Sequence, residues 1–408
     1  MSKKNTNKYR EKHPLKSINQ GEYGYFESIS TKKFNTKNKK GSLFLRFDNG
    51  NQTQSNTYSH NPVMISDVLN HLKLAFDSYN NNVKIEQLID TTQIKTQILN
   101  AYNKNLFIVI DATFGLGGYS KEILKFNQNI FLIAFDRDSD VLQYADEVKQ
   151  MFPDRFIFIN DKFSNITNYI PNNIVNFIVA DFGISSMQVD NASRGFSFNK
   201  EALLDMRMDK NQVYTAFDVV NTLSHEDLSD IIYNLGGERQ AKKIAKGICL
   251  YRETKQIKTT TDLTDIVLQS LNIENGFYKS KIHPATKTFQ AIRIFVNKEL
   301  EEIDELLEKS CKILINNGVF CCVSFHELED GAVKRFVKKY SNKTKINKYH
   351  VFSLQDGDFV NHKEVDTNKI NIQDISNGVV LVSKAESTLN PRARSAKMRC
   401  FKVFKVVK

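Results

Sequence analysis

The segment Leu106 to Ser120, LFIVIDATFGLGGYS, constrains this chain more than any other. An apolar run rich in β-branched and aromatic side chains, 106–110, ends in Asp111. A loop with Gly115, Gly117 and Gly118 follows, and KEIL then opens a helix-like pattern. This is the strand, loop and helix order that begins a nucleotide-binding α/β domain. Glycines in such a loop let backbone N–H groups approach a ligand where a Cβ would clash. Many dehydrogenases and transferases share the pattern, and so do plain buried strands joined by a glycine turn.

A second apolar run, IFLIAFDRDSD over 130–140, narrows the reading. It ends in Asp136, 25 residues after Asp111. An acidic residue about 20 residues past the first loop is where the ribose diol of an adenosine cofactor is held. Further strands are predicted at 155–160, 174–181 and 317–325, with helices at 119–126 and 139–151. That alternation predicts a doubly wound, mainly parallel sheet. The rhythm stops after Asp181. Helical patterns at 225–235, 238–251 and 261–271 reach to about 290 without a clear strand, and a long amphipathic helix over 290–315 leads back to the strand NGVFCCVSF. The chain therefore divides into a basic extension (1–59), a first part of an α/β domain (60–187), a helical insertion (188–290) and a second part (291–408) with a basic C-terminal tail. HNPVMISDVLNHLKLAF at 60–76 has helical spacing after a proline, and 77–104 reads as partly helical. Residues 1–57 are polar, Asn/Lys-rich and aperiodic, the composition of a disordered segment.

Charge is unevenly spread. The net charge is +11, of which residues 1–40 supply +8 and residues 391–408 supply +7, leaving a body of −4. Basic ends favour contact with a polyanion through phosphate neutralisation. No apolar run reaches the roughly 20 residues that span a bilayer, and the N-terminus has no apolar core of a secretory signal. A cytoplasmic protein with no membrane partner is expected. The five cysteines include no CxxC pair. Cys321 and Cys322 sit in an apolar run and read as small buried hydrophobes in a reducing compartment, with no structural zinc.

Several polar motifs punctuate this framework. DFGISSMQVD puts Asp181 at the carboxyl end of a strand, where open α/β sheets bind ligands, with Gly183 in a tight turn and Ser185, Ser186 and Gln188 beyond it. In LLDMRMDK, Arg207 between two methionines reads as core packing with a paired charge. The basic face of GGERQAKKIAKGI reads as solvated. HPATKTFQAIRIFVNKEL sets Thr286, Gln290, Arg293 and Asn297 near one helical face. SFHELEDGAVKRF holds His326, Glu327, Glu329 and Asp330 at adjacent spacing, which reads as an acid-rich helix start and not as a metal site. NPRARSAKMR concentrates Arg392, Arg394, Lys397 and Arg399, a density suited to phosphate. No GxSxG, HExxH or Walker A sequence occurs.

Together these motifs resemble the RsmH/MraW family of bacterial ribosomal small-subunit RNA methyltransferases. HNPVM, DATFGLGGYS, DRDSDVL, DFGISSMQVD, RGFSF, DMRMD, GERQAKKIA, HPATKTFQAIRIFVN, SFHELED and NPRARSAKMR stand in that family's order from about residue 60 to 408. The resemblance implies a Rossmann-like class I methyltransferase fold whose helical insertion recognises substrate. It implies S-adenosylmethionine as cofactor, held by Gly117, Gly118, Tyr119, Asp136, Phe163, Asp181 and Gln188. It implies methylation of the N4 amine of a cytosine in 16S rRNA of the small ribosomal subunit. Asp181, or the backbone near Gly183–Ser185, is the candidate for accepting an N4 hydrogen, and Arg194, Arg293, Arg392 and Arg394 are candidates for RNA phosphates. The sequence leaves the oligomeric state open, a homodimer included. Departures from the family pattern are Tyr119 in place of histidine, Glu327 and Gly331 in place of serine and arginine, and a longer 77–104 segment. Two alternatives share the fold: a nicotinamide-dependent oxidoreductase, for which the full GxGxxG fingerprint is missing, and a non-catalytic RNA-binding ribosome assembly factor.

Overall fold

The computed structural model describes residues 62–79, 92–273, 282–341 and 370–405. The expectation of disorder over 1–57 lies outside these residues. Eight strands form one sheet: β1 (Phe107–Asp111), β2 (Ile130–Phe135), β3 (Phe156–Ile159), β4 (Val175–Asp181), β5 (Leu314–Ser324), β6 (Ile370–Asp374), β7 (Val380–Leu381) and β8 (Lys397–Lys405). Their order is β3-β2-β1-β4-β5-β8-β6, with β7 also on β8. The first five strands are parallel. β8 runs antiparallel to β5, and β6 and β7 run antiparallel to β8.

The double winding follows from which side chains each strand gives to each face. Ile108, Ile110, Ile133, Phe135, Ile178 and Phe320 join one apolar cluster; Val109, Leu132, Ala134, Phe177, Val179 and Val319 join another. Both faces are buried, so the strands read as continuous apolar runs. Helices Gln93–Asn103, Glu299–Ile313 and Glu327–Tyr340 cover the first face through residues such as Ile98, Leu306 and Val333. Helices Ile65–Asp77, Gly118–Phe126 and Leu142–Met151 cover the second through Leu72, Ile123 and Val148. A third cluster, from Phe196 to Val296, is built by five helices and the Leu204–Met208 segment. Met206 and Met208 lie in it, as core methionines should.

Three expectations are corrected. The single helix over 290–315 is two helices, Thr286–Asn297 and Glu299–Ile313, parted at Lys298, whose φ of 51° is left-handed. The first half packs Phe289, Ile292 and Val296 into the insertion cluster and the second packs Ile303 and Leu306 against the sheet. One straight helix cannot serve both cores. Glu299, Glu301 and Glu302 in the first turn favour a fresh N-terminus there. The basic tail is largely strand β8: Met398 and Cys400 enter one face cluster, Phe401 and Val403 the other. Finally, Cys321 and Cys400 are register partners on β5 and β8, with Cα atoms 4.2 Å apart, and form a disulfide. Cys311 and Cys322 remain buried thiols.

Candidate active site

The chain leaves β1 toward β2 and β3 and returns to β4 on the opposite side, so a crevice opens beyond the carboxyl ends of β1 and β4. A cavity of about 780 Å³ fills it, lined by Phe114, Gly115, Asp136, Phe163, Asp181 and Gly183 among others. Three strand ends deliver three aspartates. Asp111, fully buried, accepts from the Ser120 hydroxyl (2.7 Å) and the Thr113 N–H (3.2 Å). Burial nevertheless lifts its carboxyl to about 6. Asp136 accepts from the Gly115 N–H (2.8 Å) and the Asp138 N–H (2.9 Å), and burial lifts it to about 6 as well. Asp181 is seated by its backbone N–H, which donates to the Thr113 hydroxyl at 2.6 Å. Its Oδ1 is buried with no hydrogen-bond partner. Burial first, then the charges of Asp111 and Glu329, push that carboxyl well above its ordinary value.

The glycine loop divides its labour. Gly115 gives its N–H to the ribose-position aspartate and lines the cavity. Gly117 does not line it: with φ at +74° it starts the helix, and a Cβ there would stand 2.8 Å from the Phe114 ring. Gly115 and Gly118 are the loop glycines that line the cavity. Gly118 lines the cavity against Pro62. Tyr119 is buried, and its hydroxyl donates to the Val63 carbonyl, tying the loop to the Ile65–Asp77 helix. Burial raises this phenol, with Asp181 and Asp111 adding to the effect. Phe163 faces the cavity with its ring 6.3 Å from that of Phe182. Gln188 lines the cavity too, with both its amide oxygen and its amide nitrogen hydrogen-bonded within the protein. It closes a capping box with Ser185 and donates to Asp138 at 2.7 Å.

On the far wall, His326, Glu329 and Glu299 bring potential ligand atoms within 4.8 Å of one another. The helix start folds back further than adjacent spacing suggested: His326 Nε2 stands 2.9 Å from Glu329 Oε1, an ion-pair distance whose angles miss those of a hydrogen bond. Glu329 Oε2 accepts from the Phe325 and His326 N–H groups, at 2.7 and 3.2 Å. Against burial, which pushes it up, His326, Arg293 and the Phe325 N–H hold Glu329 below its ordinary value. Glu299 is held bidentate by Arg293, both contacts at 2.8 Å.

Residues 57–404 match the MraW methylase family. Three relatives carry the name ribosomal RNA small subunit methyltransferase H. That of Orientia tsutsugamushi (strain Boryong) is 42% identical over 291 residues, 71% of this chain and 90% of its own length. Those of Rickettsia akari (strain Hartford) and Wolbachia sp. subsp. Drosophila simulans (strain wRi) are also 42% identical, over 72% of this chain and 91% of theirs. The chain belongs to the MraW methylase family.

In this MraW-family chain, the arginines sort by what already neutralises them. Arg194 is 4% exposed. It pairs with Asp138 (2.8 Å) and Asp140 (2.7 Å) and donates to the carbonyls of Arg207 and Met208. Buried and saturated, it cannot meet a phosphate, and that expectation is withdrawn. Arg293 lines the cavity, but its charge is matched by Glu299. Arg392 is exposed and pairs with Asp190 at 2.6 Å. Arg399 is held by Asp330 at 2.7 Å. Arg394 is exposed and makes no ion pair among the described residues. Arg207 pairs with Asp205, as read from the sequence. Sequence reasoning passed over Thr113, which seats Asp181, and gave no partner for Asn297, which is buried and bridges the Met206 carbonyl and the Met208 N–H. Thr113 had a signal, its place two residues after Asp111 in the loop; Asn297 had only its helical face.

Proposed function

We propose that this protein transfers the methyl group of S-adenosylmethionine to the N4 amine of a cytosine in 16S rRNA of the small ribosomal subunit, in the cytoplasm. The relatives' names supply the substrate class. The observation that carries the chemistry is the division of one cavity between two aspartates: Asp136, oriented by backbone N–H groups, and Asp181, with a buried oxygen that has no partner.

The residues fit the cofactor. S-adenosylmethionine carries a ribose diol and a cationic sulfonium, and the crevice is lined by the carboxylates of Asp136 and Asp181. The lysines that line it, Lys121, Lys125 and Lys162, are already paired with Glu147, Glu122 and Glu302. A pyrophosphate would be repelled by the same aspartates, which disfavours a nicotinamide cofactor. Asp136 is placed to hold the diol, Gly115 and Gly118 allow close approach of the backbone, and Phe163 offers an apolar ring. When bound, the cofactor supplies an electrophilic methyl group on a cationic sulfur.

The chain's remaining task is to make a poor nucleophile competent and to hold it in line. The cytosine amine is delocalised into its ring. A base turned out of its stack can enter the cavity, where Asp181 accepts an N4 hydrogen and favours a pyramidal nitrogen. Its raised proton affinity suits it to take the proton that the amine loses. The helical insertion, read from sequence as 188–290, is the candidate substrate-recognition part.

Incubation of the protein with labelled methyl donor and small subunits lacking the modification tests this. Label is expected in cytosine, and Asp181→Asn is expected to lower kcat by about 10²–10⁴ while the protein still binds cofactor. Cofactor binding without label in cytosine would support the non-catalytic assembly factor and overturn the proposal.

A further inference from the structure

A second cavity, of about 500 Å³, lies beside the first. Phe325, His326 and Ser395 line both, so the two adjoin across a shared wall. Its other walls carry Lys384, Arg394 and Lys397, and its one acidic lining residue is Glu327. None of these three cations forms an ion pair among the described residues, in contrast to Arg194, Arg207, Arg293, Arg392 and Arg399. Lys384 and Arg394 are exposed, and Leu381 on the rim is 64% exposed.

We infer that this cavity receives the nucleotide next to the methylated cytosine in single-stranded rRNA. The inference rests on the function proposed above. Uncompensated cations around an aromatic and imidazole floor are the two elements that single-stranded RNA recognises, phosphate neutralisation and base stacking. The wall shared with the catalytic crevice supplies the geometry. A chain whose target base enters the first cavity must pass its neighbour over Phe325 and His326. Lys384, Arg394 and Lys397 then meet the phosphates on either side of that neighbour.

The test compares three full-length proteins: wild type, Lys384→Ala/Arg394→Ala, and Lys95→Ala/Lys104→Ala, which removes equal charge at the Gln93–Asn103 helix and its C-cap, outside the lining of both cavities. Binding of a fluorescent single-stranded oligocytidine RNA is measured across a salt series. Turnover on unmethylated small subunits and cofactor affinity are measured in parallel. The first double variant is expected to bind the oligonucleotide about tenfold more weakly, with a salt slope shallower by about 1.4, for two lost phosphate contacts on a single strand. KM for small subunits should rise with kcat and cofactor affinity unchanged, and the second double variant should match wild type. Equal losses in both double variants, or none in the first, would overturn the inference. Absence of turnover in wild type would count against the proposed function instead, and the oligonucleotide arm would still decide this site.

Discussion

Arg194→Met separates a structural arginine from an RNA-binding one. Arg194 Nη1 bridges Asp138 and Asp140, and Nη2 donates to two backbone carbonyls of the Arg207–Met208 turn. Its side chain is 5% exposed and that of Asp138 is 1% exposed. Methionine fills much of the same volume and removes only the charge and its donors. What remains is a buried Asp138 carboxylate whose side-chain donors are reduced to Gln188, with two carbonyls unmatched. Breaking a buried pair by deleting one partner costs about 3–5 kcal/mol. That is roughly two to three and a half powers of ten in the folding equilibrium. Urea denaturation should show this loss. Amide exchange should quicken around Asp138–Val141 and at Arg207–Met208, the two segments the guanidinium joins. Arg194→Met combined with Asp138→Asn should be less destabilised than the sum of the two single changes, because the buried charge is then gone as well. A single variant within about 0.5 kcal/mol of wild type, with RNA affinity lowered, would refute the argument and restore Arg194 to the RNA interface.

Titration offers a second test. Asp111 and Asp136 are raised from 3.8 to about 6 in the folded protein. A group whose folded value is raised contributes its stability fully below the unfolded value and loses it as pH rises through the folded one. Each carboxyl therefore weakens the cofactor-free fold by about 3 kcal/mol at neutral pH relative to acid. Asp136→Asn should gain on wild type in denaturation free energy between about pH 4 and about pH 6; a parallel pH dependence for the two proteins would show that the burial argument fails. Gly117→Ala forces a left-handed backbone on a residue with a Cβ and drives that Cβ into Phe114. A loss of about 1–2 kcal/mol or more is expected, read as a lower melting temperature; an unchanged one would contradict the steric reading. Tyr119→Phe keeps the ring and deletes the bond to Val63. It should cost about 1 kcal/mol and speed amide exchange in the Ile65–Asp77 helix, with cofactor affinity, measured by calorimetry, changed less than threefold.

What could be read from the sequence follows from how local the cause is. The five parallel strands were legible because each is buried on both faces, so its apolar run needs no partner to be recognised. β8 was hidden by composition. Lys397, Arg399, Lys402 and Lys405 interrupt its apolar residues and invite a phosphate reading, yet Met398, Cys400, Phe401 and Val403 are all buried. The break at Lys298 was hidden for another reason. The apolar stripe continues through it, and only the presence of two separate cores, one on each side, demands a turn.

The site shows the same divide. Asp136 and Asp181 could be placed from sequence because strand ends locate them. Arg194 could not, because its partners lie 54 and 56 residues away. Sequence density of arginine says where positive charge is, and pairing says where it is available. A chain of net charge +11 thus carries an acid-lined crevice that suits a cationic cofactor. Three cations without an ion pair among the described residues, Lys384, Arg394 and Lys397, line the adjoining cavity, where a polyanion can use them. The two signs are kept apart by folding, since the far wall's Glu299 is matched by Arg293 and Glu329 is held by the Phe325 and His326 N–H groups. Were the lysines and Arg394 of the second cavity paired in the same way, a phosphate would have to displace a carboxylate from each. Leaving them unmatched keeps that cost out of binding, and it is why charge removal there should be felt in KM and in salt dependence before it is felt in stability.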